Sequence, residues 1–389
     1  MTERQEGGSA PLKDIEVLDL THLIAGPFCT MLLSDAGANV IKVEPPEGEL
    51  SRRRGVIREA GTGTSVSSFF VACNRGKKSV ILDLKSDLGR SRFFELVDRA
   101  DVVVENFRPE VLDNLGLGWS VLSARRPSLI FCSIHYDGAT DSTVDAGTKP
   151  TEAKSRGALA IIAEAESGLA SHCRDSSGLP IQYGAPLGDF IAGLNAYGAI
   201  VTALRGRDQT GEGKRISISM LGSMLAINTC AVAAFQLGSI EEFGHAVPYG
   251  YFECSDGYAA IGVNSDVFWV KFCTAIEMPE LAHDSRYETY AERKARGVEV
   301  NKLVSRWTRN RTRGDVLDIL ERFGIPVGIL RTTREVSTST DFQEAGLLQE
   351  VEDGYGDAVL LPSNQMGFGN ARSRVPTFGE HTDETFSVE

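Results

Sequence analysis

The chain has 389 residues, enough for two domains and a large hydrophobic core. Its 53 acidic and 40 basic residues give a net charge of −13, which argues against a nucleic-acid partner. Residues 1–10 lack an apolar signal region, and polar residues interrupt the longest apolar stretch, residues 220–238. We therefore expect a soluble, cytoplasmic protein without a membrane partner, and we predict a buried helix over 220–238.

The seven cysteines are odd in number and scattered along the chain. No Cys-x-x-Cys pair and no Cys/His cluster occurs among them, so neither a disulfide framework nor a zinc site is indicated. We expect reduced thiols and no metal centre.

The first 135 residues alternate apolar strands with amphipathic helices. The predicted strands cover residues 15–20, 39–44, 79–84, 101–107 and 128–134, and the predicted helices cover 26–36, 87–99 and 109–124. This alternation predicts an α/β fold with a Rossmann-like parallel sheet, in which ligands bind beyond the carboxyl ends of the strands. No G-x-G-x-x-G follows the first strand, so a nicotinamide or flavin site has no direct support.

The second half of the chain predicts a smaller α+β unit. Residues 136–157 are polar and aperiodic and predict a long surface loop. Long helices follow at about 190–238. A strand at 258–263 is followed by helices at 266–275, 286–309 and 312–323 and by a strand at 325–330. We predict that the tail from about residue 340 is irregular.

Asp189 is the most informative single residue. It follows Gly188 directly and precedes an apolar segment, residues 191–205, that predicts a helix packed on both sides. A carboxylate at a helix start accepts backbone N–H bonds and stays ionised, as a carboxylate nucleophile must. Taken alone, however, these residues favour an ordinary helix cap over a nucleophile.

Three basic clusters lie in loops or at strand ends of the first half. They are residues 52–54, residues 74–78 and residues 106–109, and they include Arg52, Asn74, Arg75, Lys77, Lys78, Asn106, Phe107 and Arg108. Guanidinium and ammonium groups of this kind suit phosphate groups, and Phe107 could stack on a ring. They also suit a solvated surface, and both interpretations remain open.

Five motifs, in order along the chain, resemble those of the family III CoA-transferases. They are Thr21-His-Leu-Ile-Ala-Gly-Pro27, Gly37-Ala-Asn-Val-Ile-Lys-Val-Glu44, Asn74-Arg-Gly-Lys-Lys-Ser79, Val104-Glu-Asn-Phe-Arg-Pro109 and Gly188-Asp189. That family includes formyl-CoA and carnitine-CoA transferases, and it shares its fold with the α-methylacyl-CoA racemases. The resemblance extends from about residue 11 to 275.

The resemblance implies a large CoA-binding domain, residues 1–220 with 335–389, and a small domain at 225–330. It implies an interlocked homodimer and places the basic clusters around the phosphates of CoA. CoA and acyl-CoA would be substrates, and no cofactor would be tightly bound. The partners would be an acyl-CoA and a carboxylic acid.

The resemblance also implies that Asp189 is the catalytic nucleophile. Its carboxylate would attack the donor thioester to give a mixed anhydride, and CoA thiolate would then convert the anhydride to an aspartyl thioester. Backbone N–H groups near Gly188 would stabilise the developing oxyanions. We expect His22, Ile24, Phe28 and Tyr249 to line the acyl site.

Departures from the related racemases favour transfer over racemisation. The racemases use a His–Glu pair; here the equivalent positions are Leu159 or Ala160 and Ser265 or Asp266. A racemase remains the alternative if His135 or His172 supplies the second base. A CoA-binding paralogue with little turnover is a further alternative, because the 133–157 loop is altered. Ile24 stands where formyl-CoA transferases have Gln, which disfavours a formyl or oxalyl substrate.

Overall fold

The computed structural model describes residues 10–61, 64–137, 159–175, 177–238, 246–367 and 373–386. Most of the predicted 136–157 loop lies outside these ranges. The chain divides into two compact units: residues 1–233 with 340–389, and residues 234–339.

Thirteen strands occur in the described residues. They are β1 (Glu16–Asp19), β2 (Asn39–Glu44), β3 (Ile57–Glu59), β4 (Ser65–Ser67), β5 (Lys78–Ile81), β6 (Val102–Glu105), β7 (Ile130–His135), β8 (Lys214–Ser219), β9 (Tyr249–Cys254), β10 (Gly257–Gly262), β11 (Val327–Ile329), β12 (Leu348–Glu352) and β13 (Ala358–Pro362).

Sixteen α-helices occur in the same residues. They are α1 (Ala25–Asp35), α2 (Ser68–Cys73), α3 (Asp87–Arg99), α4 (Val111–Asn114), α5 (Trp119–Arg125), α6 (Ala160–Glu166), α7 (Leu187–Thr210), α8 (Met220–Ile227), α9 (Thr229–Gln236), α10 (Asp266–Ala275), α11 (Tyr290–Ala295), α12 (Gly297–Thr308), α13 (Arg313–Arg322), α14 (Thr333–Ser337), α15 (Thr340–Glu344) and α16 (Thr382–Phe386).

The larger unit is built on a six-stranded sheet with the order β5-β2-β1-β6-β7-β8. All neighbouring strands run parallel, and their short runs of Val, Ile and Leu are buried between two layers of helices. The predicted α/β class with a parallel sheet is confirmed. The carboxyl ends of β1, β2 and β6 lead into the segments that contain the predicted site residues.

The C-terminal segment covers the edge strand of this sheet. Ser79 on β5 bonds to Gly379 through its Oγ (2.8 Å) and to the backbone N–H of His381 through its carbonyl (2.9 Å). The N–H of Ile81 donates to Thr382 Oγ1 at 3.0 Å. These contacts protect an edge that would otherwise expose unpaired backbone groups.

The smaller unit has its own sheet and core. Strands β11, β10 and β9 form an antiparallel sheet in that order. Aromatic side chains of α10 and α12 pack on it, with Trp269, Phe272 and Trp307 buried among aliphatic residues. Prediction and structure therefore agree on an α+β unit in this part of the chain.

Several predicted elements differ from the structure. Residues 109–124, 220–238 and 286–309 each contain two helices instead of one. No residue of α9 is buried, so the prediction of a buried helix over 220–238 was wrong. The tail is not irregular, because β12 and β13 form an antiparallel hairpin.

Helix α7 is buried along one face only. Its small and aliphatic residues pack on α1, α6 and α8, whereas the opposite face is open, with Leu194 46% exposed. The prediction of packing on both sides was therefore wrong for a single chain. By length and composition alone α7 could cross a membrane, but the core helix of a soluble protein passes the same test.

Candidate active site

Asp189 lies in the first turn of α7. The helix begins at Leu187, after Pro186, so Asp189 is its third residue and does not precede it as the sequence suggested. Proline fits the position ahead of a helix because its ring fixes φ and it has no N–H to satisfy. The carboxylate therefore sits at the positive end of a 24-residue helix.

Gly188 allows α6 to approach α7 closely. A Cβ placed on Gly188 would lie 3.0 Å from the Cα of Ala160, which is tighter than ordinary van der Waals contact. Gly193, five residues further along α7, allows α1 to approach in the same way, since a Cβ there would lie 2.5 Å from the carbonyl oxygen of Ala25. The two glycines bring α1 and α6 against the N-terminal turns of α7.

The surroundings of Asp189 raise its pKa from the ordinary value to about 6. Burial of the carboxyl is the main cause, and the negative charge of Glu164 adds to it; a hydrogen bond from the backbone N–H of Ala25 acts in the opposite direction. The helix start therefore does not keep this pKa low, as the sequence suggested for a capping acid. Asp189 is half ionised at a pH of about 6 and mostly ionised at neutral pH.

Glu164 is a buried carboxylate on α6. Its Oε1 lies 3.4 Å from the backbone nitrogen of Gly188, which donates to it. The N–H of Gly188 is therefore directed at a neighbouring carboxylate, which an oxyanion would have to displace. Glu164 supplies the negative charge that acts on Asp189.

The turn between β1 and α1 forms the other wall of the site. Asn106 accepts the N–H of His22 at 2.8 Å and donates to its carbonyl at 2.9 Å. Leu23 adopts a φ of 66°, and Ile24, which is buried, precedes the first residue of α1. The N–H of Ala25, the first residue of α1, stabilises the ionised form of Asp189.

Aromatic side chains flank this turn. The rings of His22 and Phe107 meet edge to face at 5.3 Å, and those of Phe28 and Phe190 do so at 5.0 Å. The structure therefore brings Phe28 next to the residue that follows Asp189. Tyr249 lies in the smaller unit, on β9, and is 54% exposed.

A cluster of buried charged side chains lies next to the same turn. Asp19 accepts hydrogen bonds from Thr21 and Thr30, and it lies 2.9 Å from the Lys77 ammonium and 3.6 Å from that of Lys42. These cations and hydrogen bonds outweigh burial and hold the pKa of Asp19 far below its usual range, whereas burial lowers the pKa of Lys77 to about 8.

Three of the residues predicted to bind phosphates are engaged with other groups of the protein. The ammonium of Lys77 donates to Asp19, to the carbonyl of Pro27 and to Asn74, which uses all three of its protons. Arg75 is buried and forms a two-pronged ion pair with Asp35. A phosphate would have to displace these partners to reach Asn74, Arg75 or Lys77, so these three are the least available of the predicted set.

Arg52 is engaged in the same way. Its guanidinium forms two hydrogen bonds to Glu44, at 2.6 and 2.7 Å, and stacks 3.6 Å over the ring of Phe70. Lys78 forms a half-exposed ion pair with Glu384. Arg108 is exposed, and the half-buried Phe107 precedes it. Arg108 and Phe107 therefore remain the strongest candidates for contacts with a nucleotide.

Comparison with known proteins identifies the family. The sequence profile of CoA-transferase family III matches residues 12–382. The chain belongs to this family. It is 34% identical to a succinyl-CoA:mesaconate CoA-transferase of Haloarcula hispanica, with 96% of this chain and 95% of the relative covered. It is 31% identical to the succinyl-CoA:glutarate CoA-transferase of Mus musculus, with 96% and 85% covered.

A solved structure agrees with this assignment. A CAIB/BAIF family protein from Brucella suis superposes with a TM-score of 0.82 at 30% sequence identity. The superposition covers 96% of this family III chain and 98% of the other.

In this family III chain, the residues considered for a racemase reaction contact other side chains or cap a helix. His172 Nε2 lies 2.9 Å from Asn228 Oδ1, and buried His135 lies 3.6 Å from Glu105. In the smaller unit, Ser265 caps α10 and Asp266 pairs with Arg293. None of these groups contributes to the pKa shift of Asp189.

Sequence reasoning missed two carboxylates of this family III site, Glu164 and Glu49. Glu164 is one of two acids in the Ala- and Ile-rich helix α6, and an acid among apolar residues was a detectable signal of a buried polar group. Glu49 lies in a polar loop with nothing to set it apart, yet its side chain is fully buried and accepts the N–H of Leu23.

Proposed function

We propose that the protein transfers CoA from an acyl-CoA donor to a free carboxylic acid, with Asp189 as the covalent nucleophile. The observation that carries this proposal is a partly buried carboxylate at the N-terminal turn of α7 that also meets the first N–H of α1. A raised pKa makes the carboxylate more basic, and hence more nucleophilic, once it is ionised.

The proposed reaction has four balanced steps. The Asp189 carboxylate attacks the donor thioester, giving an aspartyl–acyl anhydride and CoA thiolate. The thiolate attacks the aspartyl carbonyl, giving an aspartyl-CoA thioester and the free donor acid. The acceptor carboxylate attacks that thioester to form a second anhydride and release CoA thiolate, which attacks the acceptor carbonyl and regenerates Asp189. Each intermediate keeps an activated acyl group and requires water to be excluded.

We further propose succinyl-CoA as the donor and a short dicarboxylic acid as the acceptor. Both curated relatives described above carry succinyl-CoA in their names, paired with mesaconate or glutarate. CoA would be bound by the larger unit, with Phe107 and Arg108 at its nucleotide, and Ile24 and Phe28 would contact the acyl group. A homodimer and a cytoplasmic location belong to the same proposal.

Replacement of the nucleophile tests this proposal. We expect Asp189→Ala to reduce transfer from succinyl-CoA to background while CoA binding persists, because the substitution removes only the attacking group. Trapping with hydroxylamine or borohydride, followed by peptide mass spectrometry, should locate the modification at Asp189. Asp208→Ala, an exposed acid on the same helix, serves as the matched control and should retain full activity.

Transfer by Asp189→Ala at the wild-type rate would contradict the proposal. If wild type binds CoA, remains unmodified and exchanges an α-proton of a branched acyl-CoA for deuterium, the racemase alternative replaces it. Binding without either reaction would favour a CoA-binding protein with little turnover.

A further inference from the structure

The backbone is strained at Leu23, in the turn that faces Asp189. Among the described residues, three that are not glycine have φ in the left-handed region: Leu23 at 66°, Glu110 at 71° and Glu277 at 63°. A side chain with a Cβ disfavours this region, and such a conformation persists only where the surrounding structure holds it. Leu23 must therefore have a partner that compensates for the strain.

Glu49 is that partner. Its Oε1 accepts the backbone N–H of Leu23 at 2.6 Å, and the same carboxylate accepts the N–H of Ser51 at 3.0 Å and the Ser51 hydroxyl. The side chain of Glu49 is fully buried. Burial alone would raise its pKa, but the charge of Lys42, the His22 imidazole 3.7 Å away and hydrogen bonds from Ser51 and Leu23 lower the pKa to about 2. Glu49 is thus an ionised acceptor throughout the neutral range.

The consequence of this hydrogen bond reaches Asp189 through two peptide units. Asn106 fixes both backbone groups of His22, and Glu49 fixes the N–H of Leu23. With these groups held, the chain enters α1 in one direction, and the first turns of α1 lie against those of α7. A Cβ on Gly193 would lie 2.5 Å from the Ala25 carbonyl oxygen, and the Phe28 and Phe190 rings meet at 5.0 Å. In this position the N–H of Ala25 stabilises the ionised form of Asp189.

We propose that Glu49 is a positioning residue for Asp189. Its carboxylate holds Leu23 in the left-handed conformation and thereby keeps the N–H of Ala25 on the nucleophile, although Glu49 itself touches neither substrate nor Asp189. The inference rests on the proposed function only in taking Asp189 as the reacting group.

Removing Glu49 would have two effects on the pKa of Asp189, and these effects are opposite in sign. Loss of a buried negative charge would lower the pKa of a neighbouring carboxyl. Loss of the Ala25 hydrogen bond would raise it, because that bond stabilises the ionised form. The direction of the shift therefore separates a positioning role from a purely electrostatic one.

The experiment is to measure the pKa of Asp189 directly, from the pH dependence of its carbodiimide labelling followed by peptide mass spectrometry. We expect Glu49→Ala to raise this pKa by about one unit, the size of one charge-assisted hydrogen bond. At a pH well below the wild-type pKa, transfer should fall about tenfold, because about ten times less Asp189 is then ionised. In Glu49→Ala/Leu23→Gly both values should return toward wild type, because glycine adopts a positive φ without a Cβ clash.

Glu16→Ala is the matched control, a carboxylate at the opposite end of β1. Glu16 accepts the side-chain amide of Asn39 at 2.8 and 2.9 Å, so its loss should lower thermal stability and leave the pKa of Asp189 unchanged. If Glu49→Ala does not fold, Glu49→Gln provides a weaker, neutral acceptor and should shift the pKa upward by a smaller amount.

An unchanged or lowered pKa of Asp189 in the Glu49 variants would overturn the inference, as would a failure of Leu23→Gly to reverse the shift. Labelling does not depend on turnover. A wild-type protein without transfer activity would therefore refute the proposed function and still leave the positioning role to be decided by the labelling.

Discussion

At the scale of single residues, two opposing influences meet at Asp189. The N-terminal end of α7 and the N–H of Ala25 favour the ionised form, whereas burial and the charge of Glu164 favour the protonated form. The second pair prevails, since the pKa rises from 3.8 to about 6. At mildly acidic pH, part of Asp189 is therefore protonated and cannot attack. At higher pH, where Asp189 is ionised, its raised pKa makes the carboxylate more basic.

This balance predicts a pH dependence. Because the attacking form of Asp189 is the ionised one, kcat/KM should rise with pH through an apparent pKa of about 6. Glu164→Gln removes the neighbouring negative charge, so the acid limb of the profile should move down by about one pH unit. Initial rates of transfer measured between pH values of about 4.5 and 8, on either side of that pKa, would show this.

Glu166→Gln is the control for that measurement. Glu166 lies on the same helix and accepts the hydroxyl of Tyr136, but it does not contribute to the pKa shift of Asp189. Its substitution should leave the acid limb in place. An acid limb near the ordinary aspartate value, about 4, in wild type would show that burial and Glu164 do not raise the pKa of Asp189.

The position of Asp189 could be predicted from sequence, but its acidity could not. The apolar segment after Gly188-Asp189 indicates a helix start, which is a local property. Burial and the approach of Glu164 depend on α6 packing against α7, and nothing in the local sequence encodes that. The same limit applies to Lys77 and Arg75, whose partners Asp19 and Asp35 come from distant parts of the chain.

At the scale of elements, glycine determines how closely helices pack at the site. Gly193 faces the carbonyl of Ala25, and a Cβ there would approach it to 2.5 Å. Gly198, further along α7, faces outward, and a Cβ placed on it would meet no atom within 4 Å. Two glycines in one helix therefore have opposite expected responses to the same substitution.

We predict that Gly193→Ala destabilises the protein by about 1–3 kcal/mol, because α1 must move away from α7. Gly198→Ala should be neutral or stabilise by up to about 1 kcal/mol, since alanine favours the helix. Urea denaturation of both variants measures the difference. Equal stability of the two would mean that α1 and α7 do not pack closely at Gly193.

Elements with a strong periodic or continuous apolar pattern were predictable, and those without one were not. Strand β2 was predicted with its observed bounds, because Val, Ile and Val lie in a run bounded by turns. Strand β12 has no such pattern, and β13 has only a short apolar run that ends at a proline, which a helical segment could equally contain. Their pairing follows from tertiary contacts rather than from local pattern.

At the scale of the whole molecule, α8 and α9 present apolar side chains to solvent. The exposed fraction reaches 72% for Phe235 and 89% for Leu237, and Leu225, Ile227 and Val232 are also exposed. Exposed apolar side chains in such number are typical of proteins that associate with another chain. We take them as support for the proposed homodimer.

Light scattering should therefore give a particle of twice the chain mass. Phe235→Glu with Leu237→Glu should shift that particle toward the single chain, because burying two carboxylates in an interface is unfavourable. Val298→Glu, at an exposed apolar residue on α12, is the control and should leave the mass unchanged. A wild-type monomer would refute the dimer.

The path of the chain through the larger unit also determines the order in which the two units can complete folding during synthesis. Residues 340–389 belong to that unit but are translated last, after the whole of residues 234–339. A nascent chain thus carries β5 with its edge open until Gly379, His381 and Thr382 leave the ribosome. The smaller unit is contiguous in sequence and can complete its core earlier. The larger unit, which contains Asp189, is therefore the first to be synthesised and the last to complete its fold.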